Sequence, residues 1–185
     1  MRNAGEVLVL LAAVCLIGGC LGAPAPLSTG GGITPIDLPE PPGAYTLTEA
    51  LLELDLLGAE GGLNVTGTTV HQVLASGVDL DGQATSWVLG LRDGEEVRWL
   101  AFGITGWKEI TLPAPLPAEE VDITAIIPPE DLLRSQDEVL SPVMNRLGAD
   151  TVEIALAEGV YSVTIHSDAG LESFVFQADS GEVIA

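Results

Sequence analysis

Few residues of this chain have the types and spacing that metal binding or catalysis requires. His71 and His166 are its only histidines. Each is predicted to lie in solvent on the polar face of a strand, without the cysteine, second histidine or spaced carboxylates of a zinc site. Asp79-Leu80-Asp81-Gly82 starts like a calcium loop but lacks the later ligands, so we interpret it as a hairpin connection. No nucleophile elbow, phosphate loop or dinucleotide fingerprint occurs. We expect no catalytic residue, metal or cofactor, and predict that the protein is not an enzyme.

Cys20 is the residue with the most definite predicted chemistry. It follows an uncharged apolar run from Val7 to Ile17, which is shorter than the about 20 residues of a membrane span and is typical of an export signal. The run ends in Leu16-Ile17-Gly18-Gly19-Cys20. This ending is similar to the prokaryotic lipobox, in which small residues admit a peptidase and the thiol accepts the lipid. We predict an export signal with a lipobox over residues 1–20, lipid attachment at Cys20 and anchoring on the extracytoplasmic face of the cell membrane.

Two other interpretations of this N-terminus remain open. Glu6 weakens the positive charge expected before the apolar run, and the run can be extended to Ala23 and taken as an uncleaved membrane anchor. Ordinary secretion is the third interpretation. Processing at Cys20 would remove Cys15 and leave no cysteine pair for a disulfide, so the fold would depend on packing alone.

Asn64 and the tryptophans could serve a modification or a ligand, but each also has a simpler interpretation. Asn64-Val65-Thr66 is a glycosylation sequon in a predicted exported loop, and its occupancy depends on a host with that machinery. Trp87, Trp99 and Trp107 are interpreted as core residues rather than as a ligand platform. Of the three, Trp107 is predicted to lie nearest a sheet edge.

The charge balance argues against nucleic acid as a partner. The chain of 185 residues has 27 Asp and Glu against 6 Lys and Arg, a net charge of -21, and would repel a polyanion. Its mean hydropathy is nevertheless positive at +0.41, whereas disorder requires low hydrophobicity together with high charge. These values predict an acidic surface around an aliphatic core.

The remaining chain is predicted to form a tether and two similar units. Residues 21–44 are rich in glycine and proline and are typical of a spacer that holds a domain away from the bilayer. The first unit, residues 45–118, starts with a helix capped by Thr46 and Glu49, followed by strands with a hairpin turn at Asp93-Gly94. The leucine stripe of this helix consists of Leu47, Leu51 and Leu54 and is broadened by Leu52, Leu56 and Leu57. The second unit, residues 119–185, has a helix and then three strands, and Pro142 is expected to kink or divide that helix.

A local match suggests that the second unit repeats the first. Thr69 to Gly77 matches Thr151 to Gly159 at five of nine positions, and the hairpin that follows is also collinear. The alternative is a single irregular α+β domain. Either way the fold class is α+β, and the repeat predicts two units, each a helix followed by an antiparallel meander, with helices packed on the sheet.

The C-terminal part of the chain resembles the PepSY domain. The resemblance rests on a helix, a three-stranded meander and the ending Asp179-x-x-Gly181-Glu182-Val183-Ile184, in which Gly181 permits the positive φ of a returning chain. The first unit fits less well, since Ile104 replaces the aspartate. The resemblance implies an extracytoplasmic, non-catalytic module of the kind found in prosegments of thermolysin-type metallopeptidases and in small lipoproteins. It also implies a role in restraining or assisting peptidases.

These features together predict a lipid-anchored binding module of the cell envelope. Its partner would be a protein or peptide that binds to a sheet face or an exposed strand edge. An envelope peptidase whose activity the module modulates is one such partner. The alternative is a structural or small-ligand-holding envelope lipoprotein without a peptidase partner.

Overall fold

Seven antiparallel strands form one continuous sheet, and three helices pack against one of its faces. The computed structural model describes residues 43–184. The helices are α1 (Leu47–Ala59), α2 (Pro129–Ser135) and α3 (Asp137–Leu147), and the strands are β1 (Thr69–Val78), β2 (Ser86–Asp93), β3 (Glu96–Gly103), β4 (Gly106–Ile110), β5 (Val152–Ala157), β6 (Val160–Ser167) and β7 (Gly170–Gln177). The strand order is β4-β3-β2-β1-β5-β6-β7. The predicted α+β class, with helices packed on an antiparallel sheet, is confirmed.

The predicted export signal, Cys20 and nearly all of the predicted tether lie outside the described residues. Within residues 43–184, no helix is long and apolar enough to cross a membrane. Lipid anchoring therefore stays a prediction.

The sheet face that meets the helices, here called the core face, holds most of the large buried side chains. Side chains alternate between the faces along each strand. The strand pairings therefore align one buried row across six strands: Leu100, Leu89, Val73, Leu156, Tyr161 and Phe176. The helices contribute to the same cluster Leu47, Leu54, Leu132, Leu133, Leu140 and Met144. Burial of this apolar surface, worth about 25 cal/mol per Å², is the main term that holds the two layers together.

Helix α1 begins as predicted but buries a narrower face. Thr46 is the N-cap, and its side chain and that of Glu49 form the reciprocal capping box. Leu54 is buried, whereas Leu52 and Leu56, which were expected to broaden the buried stripe, are 62% and 58% exposed. The helix contacts the sheet along one side only, so the leucines on its outer side face solvent.

The second helical stretch is divided at Gln136. Helix α2 ends at Ser135 and α3 begins at Asp137, while Gln136 between them has φ -102° and ψ 12°. Pro142 lies within α3 and is exposed to solvent. A proline removes one backbone N–H, and at this surface position α3 continues through it. The expected division at Pro142 is therefore wrong.

The sheet places two meanders side by side, β1–β4 and β5–β7, joined where β1 pairs with β5. Burial does not follow the ungapped sequence match between them. Val73 is buried on the core face, whereas Ala155, its counterpart in that match, lies on the opposite face. The register of β1 shifts between Val70 and Gln72 because the strand contains an extra residue there. A gap of one residue at this bulge brings Val73 into correspondence with Ile154, which is also buried on the core face.

Candidate binding surface

The sheet face opposite the helices, here called the open face, presents a continuous row of small and aliphatic side chains. The strand pairings align one residue from each strand: Lys108, Ala101, Val88, Leu74, Ala155, Ser162 and Val175. All except the exposed Lys108 are half-buried. A shallow depression of about 250 Å³ lies over Leu74, Ala155, Ser162 and Thr164. The described helices all lie on the other side of the sheet, so this row is accessible to a partner.

The open face is nearly free of acidic residues, although the chain is strongly acidic. Residues 43–184 contain 24 of the 27 Asp and Glu residues. Alternation along the seven strands directs only Glu153 of these to the open face, together with the bases Arg92 and Lys108. The strand residues of this face therefore have a slightly positive formal charge, while the rest of the described surface is strongly negative. Glu119 and Glu120, which are exposed in the segment that crosses one corner of this face, belong to the negative part.

A proline-rich segment, residues 111–120, crosses one corner of the open face and is here called the strap. A Cβ atom added at Gly90 of β2 would lie 2.3 Å from Leu116 Cδ2 of the strap and 2.9 Å from Trp99 Cζ3. Trp99 is 3% exposed beside this contact. Where the strap ends, Val121 N–H donates to Val70 O at 2.7 Å. The strap thus covers β2 and β3 near Gly90 and Trp99 and reaches the start of β1, and it leaves the rest of β1 with β5, β6 and β7 as the uncovered part of the open face.

His71 is buried and fastens the strap, so the prediction that it lies in solvent is wrong. It lies at the bulge of β1 and is 5% exposed. Its Nδ1 is 3.1 Å from Pro117 O and its Nε2 is 3.0 Å from Thr69 Oγ1. Because a carbonyl oxygen can only accept, Nδ1 carries the hydrogen of the first bond. The extra residue of the bulge changes the direction of this side chain relative to simple alternation, and its contacts are structural.

A cavity of about 550 Å³ lies where the strap leaves β4. Its lining combines polar and apolar surface and includes Val97, Trp99, Ile110, Leu112, Pro113 and Pro115, together with Arg98 and Glu109. Arg98 Nε and Nη2 donate to the two carboxylate oxygens of Glu109, each at 3.1 Å, and Nη1 donates to Asn64 O at 2.8 Å. These bonds lower the pKa of Glu109 and raise that of Arg98. The pair is therefore charged at neutral pH.

The edge of β7 is partly covered by the chain itself. Gly181 has φ +71°, a left-handed conformation that favours glycine, and the chain turns back so that Val183 pairs with Phe176. Ile184 N–H then donates to Val175 O at 2.7 Å. The turn predicted at Gly181 is confirmed, and it blocks strand pairing along half of this edge.

The other residues singled out in the sequence lie apart from one another. Asn64 is exposed in the loop between α1 and β1. His166 is also exposed, with Nδ1 3.9 Å from Glu153 Oε1. Asp79 Oδ1 accepts two backbone N–H groups in the connection between β1 and β2, so the interpretation of that loop as a hairpin connection is confirmed. In the part of the chain that the structure describes, no group of three or more His, Cys, Asp and Glu residues could hold a metal ion.

The tryptophans are all buried, as predicted, but on different faces. Trp87 and Trp107 belong to the core between sheet and helices, whereas Trp99 lies beneath the strap on the open side. The charge contrast between the two faces was not predicted. The sequence does contain a signal for this contrast. Of the two alternating sets of strand positions, one contains Glu153 as its single acidic residue. The position of the strap has no such signal.

The chain matches no protein-family model, no curated protein and no solved structure.

Proposed function

We propose that this protein is a non-catalytic, lipid-anchored module that binds a partner protein at the cell envelope through its open face. The observation that carries the proposal is the near absence of acidic residues from one accessible sheet face in a chain with net charge -21. The cores of protein interfaces are depleted of charged residues. The row that contains Leu74, Ala155, Ser162 and Val175 has this composition. The acidic remainder of the surface favours solubility and repels further copies.

The anchor of this module is Cys20, and residues 21–44 are the tether. The support comes from the lipobox-like sequence and from the glycine and proline composition of the tether. A lipid on Cys20 would hold the folded unit close to the extracytoplasmic membrane surface, where its partner is also confined. Confinement raises the effective concentration of the two proteins, so a modest affinity suffices.

The module consists of two PepSY-like units, residues 45–118 and 119–185. Supporting this division, β1–β3 and β5–β7 occupy equivalent positions on either side of the β1–β5 seam, and each set follows a helix on the same face. The turn at Gly181 supports the likeness at the end of the second unit. By this resemblance the partner is an envelope peptidase whose activity the module restrains or assists.

A matched pair of charge substitutions tests the open face. Leu74→Glu introduces a carboxylate at the centre of the row, and Leu52→Glu introduces one on the helix layer, where Leu52 is already 62% exposed. Full-length proteins are recovered from detergent-solubilised membranes, and the bound proteins are identified. We expect wild type and Leu52→Glu to retain the same partner and Leu74→Glu to lose it, with all three folded by circular dichroism. Equal recovery of the partner by all three proteins contradicts the proposal.

Two further measurements test the lipid anchor and the peptidase role separately. A Cys20→Ala protein should leave the membrane fraction and lose the mass of the lipid; unchanged partitioning and mass would rule out the lipobox interpretation. If the partner is a peptidase, deletion of the protein should change cleavage of that peptidase's substrates. Unchanged proteolysis would rule out the peptidase role but would not contradict binding through the open face.

A further inference from the structure

The outer edge of β4 has unpaired backbone groups. The N–H and C=O of one strand residue point to the same side of the strand. The short hairpin loops on both sides of β3 make Ala101 and Lys108 a hydrogen-bonded pair. The flanking residues Trp107 and Glu109 therefore direct their backbone N–H and C=O away from the sheet. Among the described residues, none forms a backbone hydrogen bond with these outward groups. In contrast to β7, β4 has no described segment that covers its edge.

Helix α1 lies above this edge. Trp107 Nε1–H donates to Ala50 O at 2.6 Å, which fixes α1 over β4. The carboxylate of Glu53 lies over the start of the strand, because a Cβ atom added at Gly106 would be 2.7 Å from Glu53 Oε1. An extended segment that pairs with β4 would therefore run alongside α1 and contact its flank.

The flank of α1 that borders the edge carries Glu53. Thr48 on the opposite flank hydrogen-bonds to Glu130 of α2, so that flank faces the interior of the helix layer. At 100° per residue, Glu53 and Leu57 lie on the other flank, towards β4, and both are half-buried. The edge thus has unpaired backbone groups beside a helix flank that offers a carboxylate and some apolar surface.

Acidic side chains dominate the charge around this edge. Glu53 lies near the first residue of β4, and Glu109 is half-exposed near its last residue and already paired with Arg98. Asp93 and Glu96 are close enough to contribute to the raised pKa of Arg98. The four acids therefore outnumber the two bases, Arg98 and the exposed Lys108 of β4 itself, and the net charge of the whole chain has the same sign. A cationic partner is favoured here and an anionic one is repelled.

We infer that the free edge of β4 binds an extended basic segment of a partner protein by strand addition. The backbone of the segment pairs with Trp107 and Glu109, and its Lys or Arg side chains lie on the core-face side against Glu53 and Glu109. A second copy of this chain fits poorly. Full antiparallel overlap of two β4 edges would place Lys108 opposite Lys108, and like charges directly opposite are destabilising. This site is separate from the open face and does not depend on it.

A model peptide tests the inference on the full-length protein in non-ionic detergent at 150 mM salt, where the Debye length is about 8 Å and long-range attraction is screened. The probe is an acetylated, amidated heptapeptide of alternating valine and lysine, and the matched control peptide has glutamate in place of lysine. The protein variants are the double substitution Glu53→Gln with Glu109→Gln, and Glu153→Gln, which removes a carboxylate from β5 on the open face. Binding is measured by fluorescence anisotropy, and contact with the edge by amide hydrogen exchange.

We expect the lysine peptide to bind wild type and Glu153→Gln equally, to bind the double variant at least tenfold more weakly, and to slow exchange at the Trp107 and Glu109 amides. The glutamate peptide should not bind. Equal binding to the double variant, or binding that leaves those two amides unprotected, overturns strand addition at β4. Neither result bears on the open face, since the Leu74→Glu comparison tests that surface separately.

Discussion

Gly90→Ala should destabilise the protein by displacing the strap. The added Cβ would lie 2.3 Å from Leu116 Cδ2 and 2.9 Å from Trp99 Cζ3, both closer than real Cβ contacts. Leu116 can move by changing rotamer, but the indole of Trp99 is rigid and 3% exposed. Overpacking of this kind costs about 1–3 kcal/mol, and the gain from replacing a strand glycine is about 0.5–1 kcal/mol. The expected net loss is about 1 kcal/mol, within a range of about 0–2.5 kcal/mol.

Gly103→Ala is the matched control. Gly103 is also a strand glycine of β3, but a Cβ there would meet only Thr85 O at 3.8 Å, an ordinary contact. This variant should be unchanged or slightly more stable than wild type. The melting temperature of Gly90→Ala should be about 2–8 °C lower than that of wild type. Acrylamide should also quench the tryptophan fluorescence of this variant more strongly, because Trp99 becomes accessible. If both variants unfold at the same temperature with unchanged quenching, the account of the strap as a packed cover is refuted.

Three further predictions concern the cap, the ion pair and the net charge. Thr46→Ala should lower the free energy of unfolding by about 1 kcal/mol in urea denaturation because it removes the capping box of α1; no change would mean that the box contributes nothing. The pKa of Glu109 is lowered from its usual 4.5 in the folded state, so its ionised form stabilises the fold above that pH. Wild type should then exceed Glu109→Gln in stability by at most about 1 kcal/mol at pH 7, because the pair is partly exposed, and the difference should vanish as the pH falls below 4.5; a difference that grows in acid contradicts this. Raising NaCl from 10 to 150 mM shortens the Debye length from about 30 to about 8 Å and should raise the melting temperature, since 24 acids face 5 bases within residues 43–184; a decrease would show that ion pairs outweigh self-repulsion.

The sequence was sufficient where structure depends on neighbouring residues. The Thr46 and Glu49 capping box, the turn at Gly94 between β2 and β3, and the turn at Gly181 were all predicted and are present. Each involves a side chain or a positive φ that acts within four residues of the chain. Alternation of apolar residues likewise predicted the strands, because burial of one sheet face imposes a period of two.

The sequence was insufficient where distant segments decide the outcome. His71 is turned inward by a bulge whose position depends on pairing with β2, and Pro117, its partner, is 46 residues away. Leu52 and Leu56 fit a buried stripe by spacing, but only the width of the contact between α1 and the sheet shows that they are exposed. The helix breaks at Gln136, where no proline or glycine signals a break. It continues through Pro142, because a proline is tolerated at this exposed position.

The same distinction applies to the candidate surface. The predicted strands and helices indicated that a sheet face or edge would be available for binding. Which residues share a face could be decided only from the register of strand pairing. One residue of slippage exchanges the faces of a strand. Val73 and Ala155 illustrate the point, since the ungapped match treats them as equivalent although one is core and the other is open.

Site-directed photo-crosslinking tests the central claim most directly. A photoreactive residue is placed at Ser162 on the open face or at Glu138, which is exposed on α3, in the full-length protein in native membranes. The account predicts one defined protein adduct from position 162, none of that adduct from position 138, and loss of the 162 adduct when Leu74→Glu is added. Lipid adducts alone from position 162, or the same protein captured equally from both positions, would contradict the claim that the open face is the binding surface.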